Sequence, residues 1–270
     1  MYWRLHKAIF REKLDEALNI LDNDNIQVVD GNILSLPVPF TSINEPALAL
    51  TTLQDARQIM NHSKLIPWLF YNYTDYCVSH WMSNLSDDLP ILNRNGIFLP
   101  SGLLSTINSK ILNSISNQHK VFIRPNSGNK VFTGYSIHID NWEYDTHIIS
   151  EKTNPETMLM ISPHVDLSPV EWRCWIVNNE LAAYSPYSWE DELTWYKAPE
   201  QVLELANKVA KSKFQVDVTY VLDIVSDLDN HYYINEINAT STSGIYDVPL
   251  IDLLPALRTL SQNEYSLIED

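Results

Sequence analysis

Val216-Asp217-Val218-Thr219-Tyr220-Val221-Leu222-Asp223-Ile224-Val225-Ser226 runs into Asp227-Leu228-Asp229-Asn230, and then into His231-Tyr232-Tyr233-Ile234-Asn235-Glu236-Ile237-Asn238-Ala239-Thr240-Ser241-Thr242-Ser243-Gly244. Two runs rich in Val, Tyr and Ile flank a tetrad of turn formers, which predicts a β-hairpin with a short loop. Asp223 interrupts an apolar strand. Glu236 and Asn238 are two apart, so they share one face of the partner strand. A turn over 227–230 brings Asp223 near Glu236 across the ladder, and three oxygen-bearing side chains then converge. Such a donor set suits Mg²⁺, which completes its shell with waters and phosphate oxygens. The alternative is a half-exposed sheet with both carboxylates in solvent. The neighbours Leu222, Ile224, Ile234 and Ile237 argue for enclosure, and enclosed carboxylates need a cation or hydrogen-bond donors.

The chain around this hairpin has 270 residues, 45 % of them hydrophobic and 11 % aromatic, ample for a core in one large domain or two small packed ones. Its 18 basic and 34 acidic residues give a net charge of −16. That excess argues against nucleic acid and anionic membrane surfaces as main partners, because both favour a basic face. Cys77 and Cys174 make no disulfide framework and no Cys-x-x-Cys. The charged N-terminus lacks the apolar core of a signal peptide, and no run reaches the about 18 apolar residues of a membrane span. The expected setting is cytoplasmic.

Upstream, residues 4–22 carry apolar positions at helical spacing (Phe10, Leu14, Ala17, Leu18, Leu21) and predict one helix. Residues 26–30 predict a short strand, and Pro37, Pro39 and Pro46 an irregular connection. A strand edge and short helix follow from Leu48. Thr74 or Asp75 is placed to cap a helix burying Tyr76, Val78, Trp81, Met82 and Leu85. Asn95-Gly96 is a hairpin signal, and Ser101 to Ser116 has helical spacing.

From His119 the texture changes to strand, small loop, strand: His119–Pro125, then Asn126–Lys130, then Val131–Ile139. Arg124 lies at the end of the first strand and Lys130 where the chain re-enters the sheet. Two cations beside a loop of backbone N–H groups can lie over a polyphosphate; an ordinary solvated hairpin is the alternative. Residues 157–167 form an apolar strand opening into a polar segment, where His164 reads as a packed or solvent-facing histidine. Residues 169–187 read as a hairpin turning at Asn178-Asn179, with Glu171 and Arg173 on one face. By themselves those two could be an ion pair of little worth. Residues 187–197 read as an aromatic, acidic loop. Pro199 opens a helix with Val202, Leu203, Leu205, Ala206, Val209 and Ala210 inward, and the segment after Gly244 is helical before an acidic tail.

The run Ile234-Asn235-Glu236-Ile237-Asn238-Ala239-Thr240-Ser241-Thr242-Ser243-Gly244 resembles the last motif of the ATP-grasp superfamily. There an Asp one strand earlier, then a Glu and an Asn, hold the Mg²⁺ of Mg·ATP, which implies metal roles for Asp223, Glu236 and Asn238. Arg124, Lys130 and Phe132-Thr133-Gly134 resemble the phosphate-binding strand and loop, in the short form of small phage and bacterial ATP-grasp ligases. The resemblance makes residues 157–167 a hinge, with adenine bonded to backbone near Ile161 and Ser162 and Asp166 the candidate for the ribose hydroxyls. Glu171-Trp172-Arg173 matches the Glu-x-Arg strand whose Arg meets the γ-phosphate and the acyl phosphate. The four motifs, in order, cover about 117 to 250.

The resemblance implies an α+β chain: an ATP-grasp domain over 117–270, two α+β subdomains whose antiparallel sheets grip ATP, preceded by an N-terminal α/β substrate-side region over 1–116. The implied activity is ATP-dependent carboxylate–amine ligation through an acyl phosphate, with ATP and Mg²⁺ as cofactors. Arg173 and Lys130 would be catalytic, Arg124 and Lys130 would hold the α- and β-phosphates, and Ser241 to Gly244 would floor the acceptor site. A small molecule, amino acid or peptide is the implied substrate. A phosphotransferase of the same fold and a non-catalytic nucleotide-binding module are the alternatives. Oligomeric state and the identity of acceptor and amine are not fixed by these motifs.

Overall fold

The computed structural model describes residues 1–31, 45–60, 69–128, 131–188 and 197–269. The chain opens with β1 (Tyr2–His6), α1 (Lys7–Phe10), a 3-10 turn (Arg11–Lys13), α2 (Leu14–Ile20), β2 (Asn25–Val29), β3 (Ala47–Leu50) and α3 (Leu53–Met60). Next come α4 (Val78–Asn84), β4 (Ile97–Pro100), α5 (Ser109–Ile115), β5 (Lys120–Pro125), β6 (Tyr135–His138), α6 (Trp142–Lys152) and β7 (Met158–Pro163). The last elements are β8 (Leu167–Val177), β9 (Glu180–Ser188), α7 (Glu200–Ala210), β10 (Thr219–Asp227), β11 (Tyr232–Ala239) and α8 (Leu250–Glu269).

The expected helix over 4–22 is corrected at its start. Residues 2–6 are a central strand, paired in parallel with β2 on one side and β3 on the other. Pairing on both edges buries Trp3, Arg4, Leu5 and His6 and overrides the local helical spacing. Arg11, at φ 52°, then breaks α1 from α2. The segment 101–116 also divides, into a 3-10 turn (Ser101–Thr106) and α5. The Asn93–Gly96 turn forms, but β4 pairs with β7 rather than with the residues before the turn. The acidic tail is not a separate segment; the helix runs to Glu269.

Two compact units result. One comprises Met1–Asn72, Pro169–Ile224 and Glu236–Asp270; the other comprises Tyr73–Ser168 and Val225–Asn235. The first 116 residues therefore contribute to both.

In the first unit lie the parallel sheet β2-β1-β3 and a second sheet ordered β11-β10-β8-β9. They share one core. Trp3, Leu5, Leu48 and Leu50 come from the parallel sheet, and Trp175, Val177 and Val221 from the other. Helix α8 contributes Leu250, Leu253, Leu254, Leu257 and Leu260, an apolar stripe at helical spacing that packs on both β3 and β9. Asp24 ties this core at its rim: one carboxylate oxygen accepts from Trp3 Nε1 (2.8 Å) and from Arg258 Nη2 (2.7 Å). In the second unit the antiparallel sheet β4-β7-β5-β6 packs Val121, Ile123, Ile137, Leu159 and Ile161 against Leu104, Leu112, Trp142 and Ile149. The tip of the organising hairpin belongs to this unit. Its turn closes by Asp227 N–H to His231 O (3.1 Å), and Ile234 N donates to Pro90 O (2.8 Å).

Asp24→Ala leaves the Trp3 indole N–H and the Arg258 guanidinium without their acceptor. It should lower stability by about 2–4 kcal/mol, read as a shifted urea midpoint at unchanged m-value.

Candidate active site

The face of β8 and β10 that builds the first core continues into a polar cluster. On β8, Val177 and Trp175 are core, and the next two residues on that face are Arg173 and Glu171. On β10, Val221 is core and the next is Asp223. Asp223 is only 1 % exposed, which resolves the choice between an enclosed and a solvent-facing carboxylate. Its charge is met by Arg173 through a two-pronged pair, Nε to Oδ1 at 2.8 Å and Nη2 to Oδ2 at 2.7 Å. Arg173 Nη1 also donates to Gly244 O (3.2 Å), so the guanidinium fork ties β8 to β10 and to the segment after β11. Burial opposes its charge, but the Asp223 carboxylate outweighs that and holds its pKa above the ordinary arginine value.

Asn238 completes the constellation. Its Nδ2 donates to Asp223 Oδ2 (2.9 Å) and to Glu236 Oε2 (3.0 Å), so the three residues expected at the metal are within one amide's reach. Glu171 is buried on the same face and accepts from the Tyr187 hydroxyl. Burial, and then the Asp223 charge, push its carboxyl from 4.5 up to about 7. Tyr187 stacks on Tyr246 at 4.8 Å with an interplanar angle of 3°, and the Arg173 guanidinium carbon lies 5.2 and 4.8 Å from the two ring centroids. The Ser241 hydroxyl accepts from Phe70 N (2.9 Å) and the Ser243 hydroxyl donates to Ala239 O (2.8 Å). Both serines thus fix the backbone of the expected acceptor floor.

This donor set fits a hard divalent cation. Every ligating atom on offer is oxygen, and three carboxylates (Glu171, Asp223, Glu236) face one guanidinium. Asp223, Glu236 and the Asn238 side-chain oxygen are the residues that would hold it.

The expected nucleotide residues of the second unit lie on β5 and β7. Arg124 is opposite Met160, and its Nη1 donates to Asn235 O (3.2 Å). A Cβ on Gly134 would stand 2.9 Å from Arg124 Cβ and 2.7 Å from Phe122, so only glycine permits this approach. Ile161 is flanked by Ile97 and Ile123, while Ser162 lies one residue past the β4 ladder. Ser162 is fully buried and its hydroxyl has no hydrogen-bond partner among the described residues, which suits a site completed by a polar ligand. Asp166 lies beyond the end of β7. One of its oxygens accepts from Gln118 Nε2 (2.6 Å) and the other faces His164 Nε2 (2.9 Å), and these contacts lower its pKa. Lys130 and residues 189–196 of the aromatic, acidic loop lie outside the described residues.

Tyr187 is expected at the start of the loop over 187–197 but lies in β9, and Tyr246 has no signal of its own in the sequence. A bulge between Trp175 and Ile176 shifts the hairpin register and sets Tyr187 opposite Glu171; Tyr246 owes its place to a left-handed backbone, φ 49°.

Among solved structures, the fold is similar to a D-cycloserine synthetase, DcsG, at 12 % identity and TM-score 0.67 over 99 % of this chain and 100 % of that one. It is also similar to a D-alanine–D-alanine ligase from Bacillus anthracis complexed with ATP, at 16 % identity and TM-score 0.66 over 99 % of each chain. A third is the ATP-grasp ligase PsnB complexed with minimal precursor, at 12 % identity and TM-score 0.55 over 96 % of this chain and 98 % of that one. At such identities the likeness is one of fold. No curated protein matches the sequence. A family described as an ATP-grasp domain, the third family of its clade, matches residues 99–258, more than half of the chain. The chain belongs to that ATP-grasp family.

Proposed function

We propose that the protein is an ATP-dependent carboxylate–amine ligase. The observation that carries this reading is the Arg173 fork, fixed on Asp223 beside Glu236 and Asn238. It supplies a permanently charged, oriented guanidinium next to an all-oxygen cation site. An acceptor carboxylate oxygen attacks the γ-phosphorus, the bond to the β-phosphate oxygen breaks, and ADP leaves. The amine then attacks the acyl carbon, phosphate leaves, and the nitrogen gives up its proton. Neither step requires covalent chemistry from the protein; both require alignment and charge neutralisation. Mg²⁺, when bound, neutralises phosphate charge. Arg173 would offset charge on the transferred phosphoryl group and its acceptor. Arg124 and Lys130 would hold the α- and β-phosphates, with adenine on the backbone at Ile161 and Ser162 and Asp166 the candidate for the ribose. The solved ligases of this fold make a small amino-acid or peptide-borne acceptor the natural one to test. Cys77 and Cys174 are free thiols, in keeping with a cytoplasmic setting.

Calorimetry with and without Mg²⁺ tests the site directly. Wild type should bind ATP in a Mg²⁺-dependent manner, and Glu236→Ala should weaken that binding by more than the roughly 100-fold that losing an outer-shell partner can cost. Equal binding by both would overturn the metal assignment.

Arg173→Lys keeps the charge and loses the fork. ADP release should fall by roughly 10²–10³, and an unchanged rate would reduce Arg173 to a structural role. ADP release that needs no amine would favour phosphotransfer.

Glu171 gives a pH signature. Its folded pKa, about 7, lies above its ordinary 4.5, so the native state binds the extra proton between them. Stability should therefore fall as pH rises from 4.5 towards 7 and then level off. Thermal melts of wild type and Glu171→Gln across that range should diverge, the variant gaining relative stability as pH rises; parallel curves would contradict the raised pKa.

A further inference from the structure

The second unit carries a group of side chains that the nucleotide chemistry does not use. His119 Nε2 lies 3.2 Å from Asp140 Oδ1, and His138 Nδ1 lies 3.4 Å from Asp140 Oδ2. The three ligand atoms lie within 4.8 Å of one another. A tetrahedral ion with bonds of about 2.0 Å has ligands about 3.3 Å apart, and each imidazole nitrogen lies near that distance from one of the two Asp140 oxygens. Two imidazoles and one carboxylate are a donor set for borderline divalent ions such as Zn²⁺, rather than for Mg²⁺, which prefers oxygen alone.

The frame holding these ligands is stiff. Asn117 and Lys120 exchange both backbone hydrogen bonds (3.0 and 2.8 Å) around a two-residue turn. Gln118 and His119 stand at its centre with φ 50° and 57°. Such a turn favours Asn-Gly, and here it instead presents an imidazole. Lys120 is opposite His138 in the ladder, and Ile139 N donates to His119 O (3.0 Å). The turn, the end of β6 and the 3-10 turn bearing Asp140 are thus locked together before any ion arrives. The side chains of His119, His138 and Asp140 are 48, 42 and 73 % exposed, so an ion can enter from solvent and keep water in its remaining positions.

A second group, Asp227, Asp229 and His231, has similar spacing. Its central carboxylate is spent on its own hairpin, accepting from Asp229 N, His231 N and the Tyr233 hydroxyl. Asp140, by contrast, faces only the two imidazoles among the described residues.

We propose that His119, His138 and Asp140 bind a divalent transition-metal ion of the Zn²⁺ type, which fastens the turn before β5 to the end of β6. This site is independent of the proposed ligase reaction. Zn²⁺ titration of the nucleotide-free, full-length protein by calorimetry tests it. One equivalent should bind, with a rise in melting temperature. Asp140→Ala should weaken binding at least about tenfold, and His119→Ala/His138→Ala should abolish both the binding and the thermal shift. His231→Ala should bind as wild type does. These side chains are exposed, so the variants should fold, which melting without metal checks. No Zn²⁺ uptake by wild type, or uptake unchanged in the double-histidine variant, overturns the proposal.

Discussion

The Arg173–Asp223 pair is the constraint on which the candidate site depends. Asp223 is enclosed in β10 among Leu222, Ile224 and Val225, all without exposure, and a carboxylate there needs an opposite charge. Arg173 answers it with two parallel bonds, and the fork leaves Nη1 for Gly244. Removing either partner would strand a buried charge, at a cost of about 3–5 kcal/mol. The pair therefore holds strands β8 and β10 in register and fixes the guanidinium's direction.

The fold reaches this point by running one sheet face from core to chemistry. Trp175, Val177 and Val221 pack with α8 and the N-terminal parallel sheet, and the next inward residues are polar. Regular strand geometry then places Arg173 and Asp223 relative to a rigid core. The N-terminal strands also brace the segment after β11: Thr51 N donates to Ser241 O (2.7 Å) and Ile245 N to Ile9 O (3.1 Å). These N-terminal strands are thus built into the same core as the segment after β11.

What the sequence made legible was local. The hairpin at 227–230, the Asn178-Asn179 turn with φ of 50° and 63°, and the helix after Pro199 all follow from turn chemistry and periodicity. Non-local pairing was hidden. Residues 2–6 become a strand only because 25–29 and 47–50 lie on either side. Glu171 and Arg173 were placed on one face, but the bonds that matter run to Tyr187 and Asp223, 16 and 50 residues away. The partner of Glu171 was unreadable for a specific reason: a single bulge moves every later β9 residue by one.

The charges of this cluster do not balance from within. Arg173 is committed to Asp223 by both prongs, and its effect on Glu171 is the weakest of the influences there. Burial comes first in raising the Glu171 pKa, then the charge of Asp223, and Glu236 adds to it. Asn238 brings a neutral amide to two carboxylates and settles their geometry but not their charge. Three carboxylates beside one guanidinium leave an excess of negative charge, and burial raises the Glu171 pKa in response. Such a site gains from a cation, whose charge would offset that excess.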